Sequence, residues 1–244
     1  MRPSVGLIGY GRFGRFAARW IGRHARIVVF DPRLKGVASP SVARGTFGEA
    51  AGQPIVVLAV PISTLPPLLQ KLRKHVRPDA LILDVCSVKV YPVRWMKRAL
   101  SRSVSIIGLH PLFGPDSAAT SLRGKRLVVC PVRVRKAHMV TLRRLAAREG
   151  LRCHVMSPAA HDRLMADTLL ASQYAGRLMV EARVPLRAWS TPSYDHLRVL
   201  REIAGRDSLQ LFRDMWRYNP YAARLARRLD RSHRLLMREL RQVG

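Results

Sequence analysis

The segment from Ser4 to Asp31 leaves this chain few folds to choose from. Ser4 to Ile8 is a short apolar run. It meets Gly9-Tyr10-Gly11-Arg12-Phe13-Gly14, and Phe13, Phe16, Ala17, Trp20 and Ile21 then recur at helical spacing. A second β-branched run, Ile27 to Phe30, ends at Asp31-Pro32. Strand, GxGxxG, helix and strand, with an acid about 20 residues on, are the parts of a dinucleotide-binding βαβ unit. Gly9 permits the tight turn, Gly11 lets backbone approach a pyrophosphate, and Gly14 lets helix and strand pack closely. Arg12 and Phe13 open the helix, whose unpaired N–H groups attract phosphate. Asp31 is placed to accept from both ribose hydroxyls of an adenosine, which favours NAD. Arg33 and Lys35 follow closely and leave NADP possible.

The same alternation continues. Pro54 to Val60 is a continuous β-branched run of the kind buried in parallel sheets. It ends at the turn Val60-Pro61, expected on the cofactor side, and a helix follows from Leu65 to His75. Ala80 to Val85, Val104 to Gly108, Leu127 to Pro131 and Leu151 to Met156 read as further strands. Tyr91 to Leu100 and Ala137 to Glu149 read as helices, the latter closed by Gly150. This predicts an α/β fold: a Rossmann-type, doubly wound, mostly parallel sheet. From Ser157 the pattern is helical throughout. A long helix is expected over Ala159 to Arg183, and others over Ser193 to Ala204, Ser208 to Tyr218 and Tyr221 to Leu240. The expected domains are therefore residues 1–156, binding the dinucleotide, and a smaller all-helical domain over residues 157–244.

Bulk properties narrow the function. No apolar run is long enough to span a bilayer, and no cleavable leader precedes the first strand. Cys86, Cys130 and Cys153 show no ligand spacing and read as reduced thiols of a cytoplasmic protein. The net charge of +29 would attract any polyanion. The arginines, however, lie on nearly every predicted helix and no nucleic-acid-binding motif accompanies them, so the charge reads as solvated surface.

Three strand ends should meet on one edge of the sheet: the glycine loop, Asp84-Val85-Cys86-Ser87-Val88-Lys89, and Gly108-Leu109-His110. His161 stands near the start of the first helix of the second domain. A nicotinamide site with Ser87, Lys89 and two histidines suits oxidation of an alcohol, in which a base takes the hydroxyl proton while hydride leaves.

At GLIGYGRFG, DVCSVK, GLHPLFGPDS and AAHDRLMA the chain resembles the prephenate/arogenate dehydrogenase family of tyrosine biosynthesis. The C-terminal TPSYDHLRVLREIAGRDSLQLFRDMWRYNPYA is also similar to the helical tail of some members. The resemblance implies oxidative decarboxylation of prephenate to 4-hydroxyphenylpyruvate, or of arogenate to tyrosine, with NAD or NADP. It makes His110 the proton acceptor and Ser87 the residue that orients the hydroxyl and the nicotinamide. It also places His161, Gln173, Tyr194 and Lys89 on the substrate side, with Lys89 in a structural or electrostatic role and His161 equally readable as a structural histidine at the helix start beside Asp162, and implies a homodimer built by the helical domain. It carries no expectation of a fused mutase or regulatory domain. Two positions depart from the pattern. Gln173 stands where many members carry a second histidine, and Asp195 follows Tyr194 where some carry an arginine. Two other readings stay open. One is a related 3-hydroxyacid or imine oxidoreductase, although Ala159 to Arg183 lacks the lysine such enzymes use. The other is a non-catalytic protein that binds NAD or nucleic acid.

Overall fold

The computed structural model describes residues 2–35 and 41–243. The chain divides into two compact units, Met1–His161 and Asp162–Gly244. Among the described residues, the first unit holds an eight-stranded sheet in the order β3-β2-β1-β4-β5-β6-β7-β8. Its strands are β1 (Ser4–Ile8), β2 (Arg26–Phe30), β3 (Val42–Arg44), β4 (Ile55–Leu58), β5 (Leu81–Asp84), β6 (Ser105–Pro111), β7 (Arg126–Arg133) and β8 (Arg152–Val155). All neighbouring pairs are parallel except β6 and β7. The mostly parallel, Rossmann-type sheet is thus present, with one antiparallel step. That step has a local cause: β6 and β7 are joined by a loop and not by a crossover helix, and parallel neighbours need a crossover.

The strand order reverses between β1 and β4. In open α/β sheets the crevice beyond the carboxyl ends at that point is where ligands bind. The register shows which residues reach it. Phe30, Ile8, Leu58, Asp84 and Gly108 form one row across β2, β1, β4, β5 and β6. Asp31, Gly9, Val60, Pro61, Ser87 and His110 all lie just beyond that row on the same edge.

Alternating residues face opposite sides, and both sides are buried. Leu7, Val29, Val57, Leu83, Ile107 and Val129 share one core. Val56, Ile82 and Ile106, on the other side, are fully covered. Double coverage explains why these strands read as unbroken apolar runs. The helices are α1 (Arg12–Ile21), α2 (Phe47–Ala51), α3 (Leu65–Leu72), α4 (Val90–Ala99) and α5 (Lys136–Arg148). Strand β3 and helix α2 were not anticipated from the sequence. The strand has three residues, too few to show periodicity, and α2 is set by a capping box in which Thr46 and Glu49 bond each other's backbone.

Helix α6 (Pro158–Met165) carries the chain from the first unit into the second. The expected long helix is interrupted after it by a π-helical turn, Ala166–Leu170, and continues as α7 (Ala171–Glu181). Three further helices follow: α8 (Pro192–Arg206), α9 (Leu209–Tyr218) and α10 (Ala222–Gln242). The hydroxyls of Thr191 and Ser208 cap α8 and α9. Within this unit Asn219 donates to the Asp162 carbonyl at 2.8 Å and packs the start of α10 against α6.

Candidate active site

The glycine loop is shaped for a phosphate-bearing ligand. Gly9 has φ +98°, and a Cβ there would lie 2.2 Å from the Ala59 carbonyl oxygen. A Cβ on Gly14 would lie 2.2 Å from the Gly9 carbonyl oxygen. Those two glycines are required by the fold. Gly11 is different, because a Cβ there would meet nothing within 4 Å. Its lack of a side chain leaves open space at the N-terminus of α1. That helix begins with no side-chain cap and no acidic residue in its first turn, so its first N–H groups and its dipole face outward. Asp31 accepts from Tyr10 N at 2.8 Å and from Arg33 N at 2.9 Å. Both bonds hold the carboxylate against the glycine turn, where a ribose would reach it. The donor set therefore fits a dinucleotide.

The loop that follows His110 is fastened to α1. Phe113 meets Phe16 at a centroid distance of 6.2 Å, and Ala118 and Leu122 share a small core with Phe16 and Trp20. Arg12 pairs with Asp116, and Arg19 donates to the Ala119 carbonyl. The two motifs, GYGRFG and GLHPLFGPDS, are thus one structural piece. Arg12 and Phe13, expected at the cofactor, also serve this junction: Phe13 packs 5.7 Å from Phe16.

His110 sits at the end of β6 and is buried. Its Nδ1 lies 2.8 Å from Nε2 of His161, and the two rings meet edge to face at a centroid distance of 5.0 Å. Burial first, and then the neighbouring His161 and the charge of Lys89, hold His110 well below the usual imidazole range. His110 is therefore neutral near pH 7, the form a proton acceptor needs. Ser87, half-buried, lies just past the end of β5 on the same edge.

Lys89 has structural and electrostatic contacts. It is fully buried, its ammonium pairs with Asp84, and it donates to the Leu109 carbonyl at 2.7 Å. That contact is one residue before His110. Lys89 therefore fixes the end of β6 from behind. Asp84 also accepts from Cys86 N at 3.1 Å, which shapes the turn that leads to Ser87. Burial pushes the Asp84 carboxyl up, and Lys89 pulls against it. The glycine of GLHP now has a reason. Gly108 stands opposite Asp84 in register, and a Cβ there would come within 3.0 Å of Lys89 Cδ and 3.1 Å of Asp84 Oδ2. Asp84 and Asp116 were missed as contributors, although each stood inside a motif already singled out.

His161 is fully buried against His110. Gln173 and Tyr194 belong to the second unit. Gln173 is buried and donates to Asp207 at 2.9 Å, and Tyr194 OH donates to the Pro185 carbonyl. Asp195 accepts from Ser190 Oγ at 3.0 Å, with Arg198 Nε 3.7 Å away. Among the described residues, no group of three or more His, Cys, Asp or Glu side chains could hold a metal ion.

Comparison with known proteins gives this arrangement a context. Residues 43–154 match the family described as "Prephenate dehydrogenase, nucleotide-binding domain". The chain is 27% identical to arogenate dehydrogenase 2, chloroplastic, of Arabidopsis thaliana over 97% of its own length and 70% of that protein. The chain is thus similar to prephenate and arogenate dehydrogenases. It is also 27% identical to arogenate dehydrogenase 1 of the same plant, but spans only 38% of that protein's length. Of the probable arogenate/prephenate dehydrogenase of Methanocaldococcus jannaschii it spans 39%, again at 27% identity over 68% of this chain. The fold resembles that of prephenate dehydrogenase from A. aeolicus solved with hydroxyphenyl propionate and NAD+, with a TM-score of 0.74 at 20% identity over 99% of this chain and 93% of that one. Synechocystis arogenate dehydrogenase gives 0.65 at 20% identity over 98% and 91%.

Proposed function

We propose that this protein is an NAD(P)-dependent dehydrogenase that oxidatively decarboxylates prephenate or arogenate in tyrosine biosynthesis. The observation that carries the reading is a neutral, buried histidine at the cofactor edge of a dinucleotide-binding sheet. When bound, the nicotinamide supplies the hydride acceptor. Gly9, Gly11, Gly14 and the first turn of α1 would hold the pyrophosphate, with Arg12 and Phe13 beside it. Asp31 would hold the adenosine ribose and favour NAD over NADP, since a 2′-phosphate there meets a carboxylate. Val60 and Pro61 would border the nicotinamide half.

His110 accepts the proton of the substrate's 4-hydroxyl through Nε2, and Ser87 orients that hydroxyl. The ring is then a dienone carrying a carboxylate on the opposite carbon. Loss of that carboxylate as CO2 leaves its electron pair in the ring and makes a phenolate. The proton returns from His110 to the phenolate oxygen, so the histidine acts first as base and then as acid. A weakly basic imidazole suits both halves of this cycle.

On the substrate side, Gln173 hydrogen-bonds but carries no charge, and Asp195 is occupied by Ser190 and faces Arg198. The reading therefore rests on no charge at either position, and both substrates remain within it. Homodimerisation through the second unit belongs to the same proposal. It is supported by the apolar side chains that α10 leaves exposed, Leu235, Leu236 and Leu240. Light scattering on the wild type and on Leu236→Glu tests it: a monomeric wild type would refute the dimer. The activity is tested by mixing protein, NAD and each substrate, and following absorbance of the reduced cofactor. Turnover that disappears in His110→Asn supports the assignment. No reduction with either substrate refutes it.

A further inference from the structure

We infer that His161 is the positioning residue that decides which nitrogen of His110 carries a hydrogen, so that Nε2 of His110 keeps the lone pair a base requires. The inference rests on the proton-acceptor role proposed for His110.

The geometry limits the choices to two. A neutral imidazole has one N–H and one bare nitrogen. The bridge from His110 Nδ1 to His161 Nε2, 2.8 Å long, holds one hydrogen. If His161 donates it, His110 Nδ1 is bare, its hydrogen sits on Nε2, and Nε2 cannot take a proton. If His110 donates it, Nε2 is bare and ready. Only the second arrangement serves a base.

The second arrangement also survives the reaction step. When Nε2 takes the substrate proton, both nitrogens of His110 carry hydrogens, and Nδ1–H needs an acceptor. Both side chains are buried, so bulk water cannot supply one. A buried donor left without an acceptor is costly. The bare Nε2 of His161 already stands in place, and no ring has to turn.

In serine-protease triads a carboxylate fills the corresponding position. Here the charged groups near His110 are otherwise arranged. Lys89 lies behind it on the Leu109 carbonyl, and Asp84 is committed to Lys89. An imidazole acceptor orients His110 without adding a negative charge beside it. The proton taken from the alcohol is then easily returned to the phenolate oxygen.

Protein labelled with 15N-histidine gives the direct test, with His110→Gln used to assign the resonance. At neutral pH, His110 is expected to show a protonated Nδ1 and a bare Nε2. The reverse pattern overturns the inference. Two variants add a kinetic reading. His161→Leu fills the space without an acceptor and is expected to lower kcat by about 10- to 100-fold, the range seen when a partner that orients a metal-bound imidazole is removed. KM should stay nearly unchanged. His161→Gln returns an acceptor oxygen near the former Nε2 and should recover most of the loss. Equal impairment in both variants, or none in His161→Leu, overturns the assignment. The nitrogen shifts report the tautomer whether or not either substrate turns over. Failure of this inference is thereby separable from failure of the dehydrogenase reading, and an unstable variant leaves the wild-type shifts to decide.

Discussion

Replacing Lys89 by methionine should show how strongly the site depends on what lies behind it. Lys89 and Asp84 are both fully buried, and the ammonium holds Asp84 and the Leu109 carbonyl together. Methionine has nearly the same length, so packing is largely kept. What is lost is the charge opposite a carboxylate whose other oxygen, Oδ2, already has no hydrogen-bond partner. Breaking a buried pair by removing one member costs about 3–5 kcal/mol, because an uncompensated charge is left behind. For a chain of this size that corresponds to a fall in Tm of roughly 6–20 °C. The effect should also depend on pH. Burial already raises the Asp84 carboxyl, and loss of Lys89 removes the pull against it. A carboxyl held higher in the folded chain than in the unfolded one takes up a proton on folding. Its penalty is absent below the unfolded value of about 3.9, grows as pH rises from there to the folded value, and is constant above it. The stability gap between variant and wild type should therefore narrow as pH falls. Urea unfolding at several pH values measures it. The double variant Asp84→Leu/Lys89→Met should regain much of the loss, since apolar replacement of a whole buried pair is often neutral. A loss under about 1 kcal/mol, the range of an exposed pair, or a gap independent of pH, would refute this reasoning.

Three further outcomes follow from the same geometry. Gly9→Ala places a methyl 2.2 Å from the Ala59 carbonyl at a positive φ, and should cost stability by roughly 1–3 kcal/mol or more in thermal melts. Gly11→Ala, where a Cβ meets nothing, should fold within about 0.5 kcal/mol of wild type. It should nevertheless raise KM for NAD by about tenfold, equivalent to 1.4 kcal/mol of lost approach; an unchanged KM would remove Gly11 from the phosphate site. For His110, whose proton affinity is lowered by burial, His161 and Lys89, kcat/KM should hold its plateau to well below the ordinary imidazole value of about 6.5 before its acid limb falls. The unfolded chain binds a proton at His110 sooner than the folded one does, so this histidine's contribution to stability declines as pH drops below that value.

Much of the first unit was legible in the sequence because parallel strands buried on both faces are written as unbroken apolar runs. Ile55 to Leu58 and Leu81 to Asp84 are examples. Strand β3 and helix α2 were not legible, since elements of three and five residues are set by their neighbours and caps and not by periodicity. The antiparallel pairing of β6 with β7 was hidden for a related reason: a strand's direction in a sheet is a property of its partner.

The sequence by itself determined that a strand, a glycine loop and an acid would frame a cofactor edge, and that His110 would stand on it. Those are local facts, fixed by turn chemistry and by which residues sit at strand ends. Only the tertiary structure decided what stands behind His110. The motif alone left the partners of Lys89 open, and burial against Asp84 made it the support behind the strand end. His161 is 51 residues from its partner in sequence. No spacing rule could join the two rings, because the bond exists only where α6 crosses the end of β6.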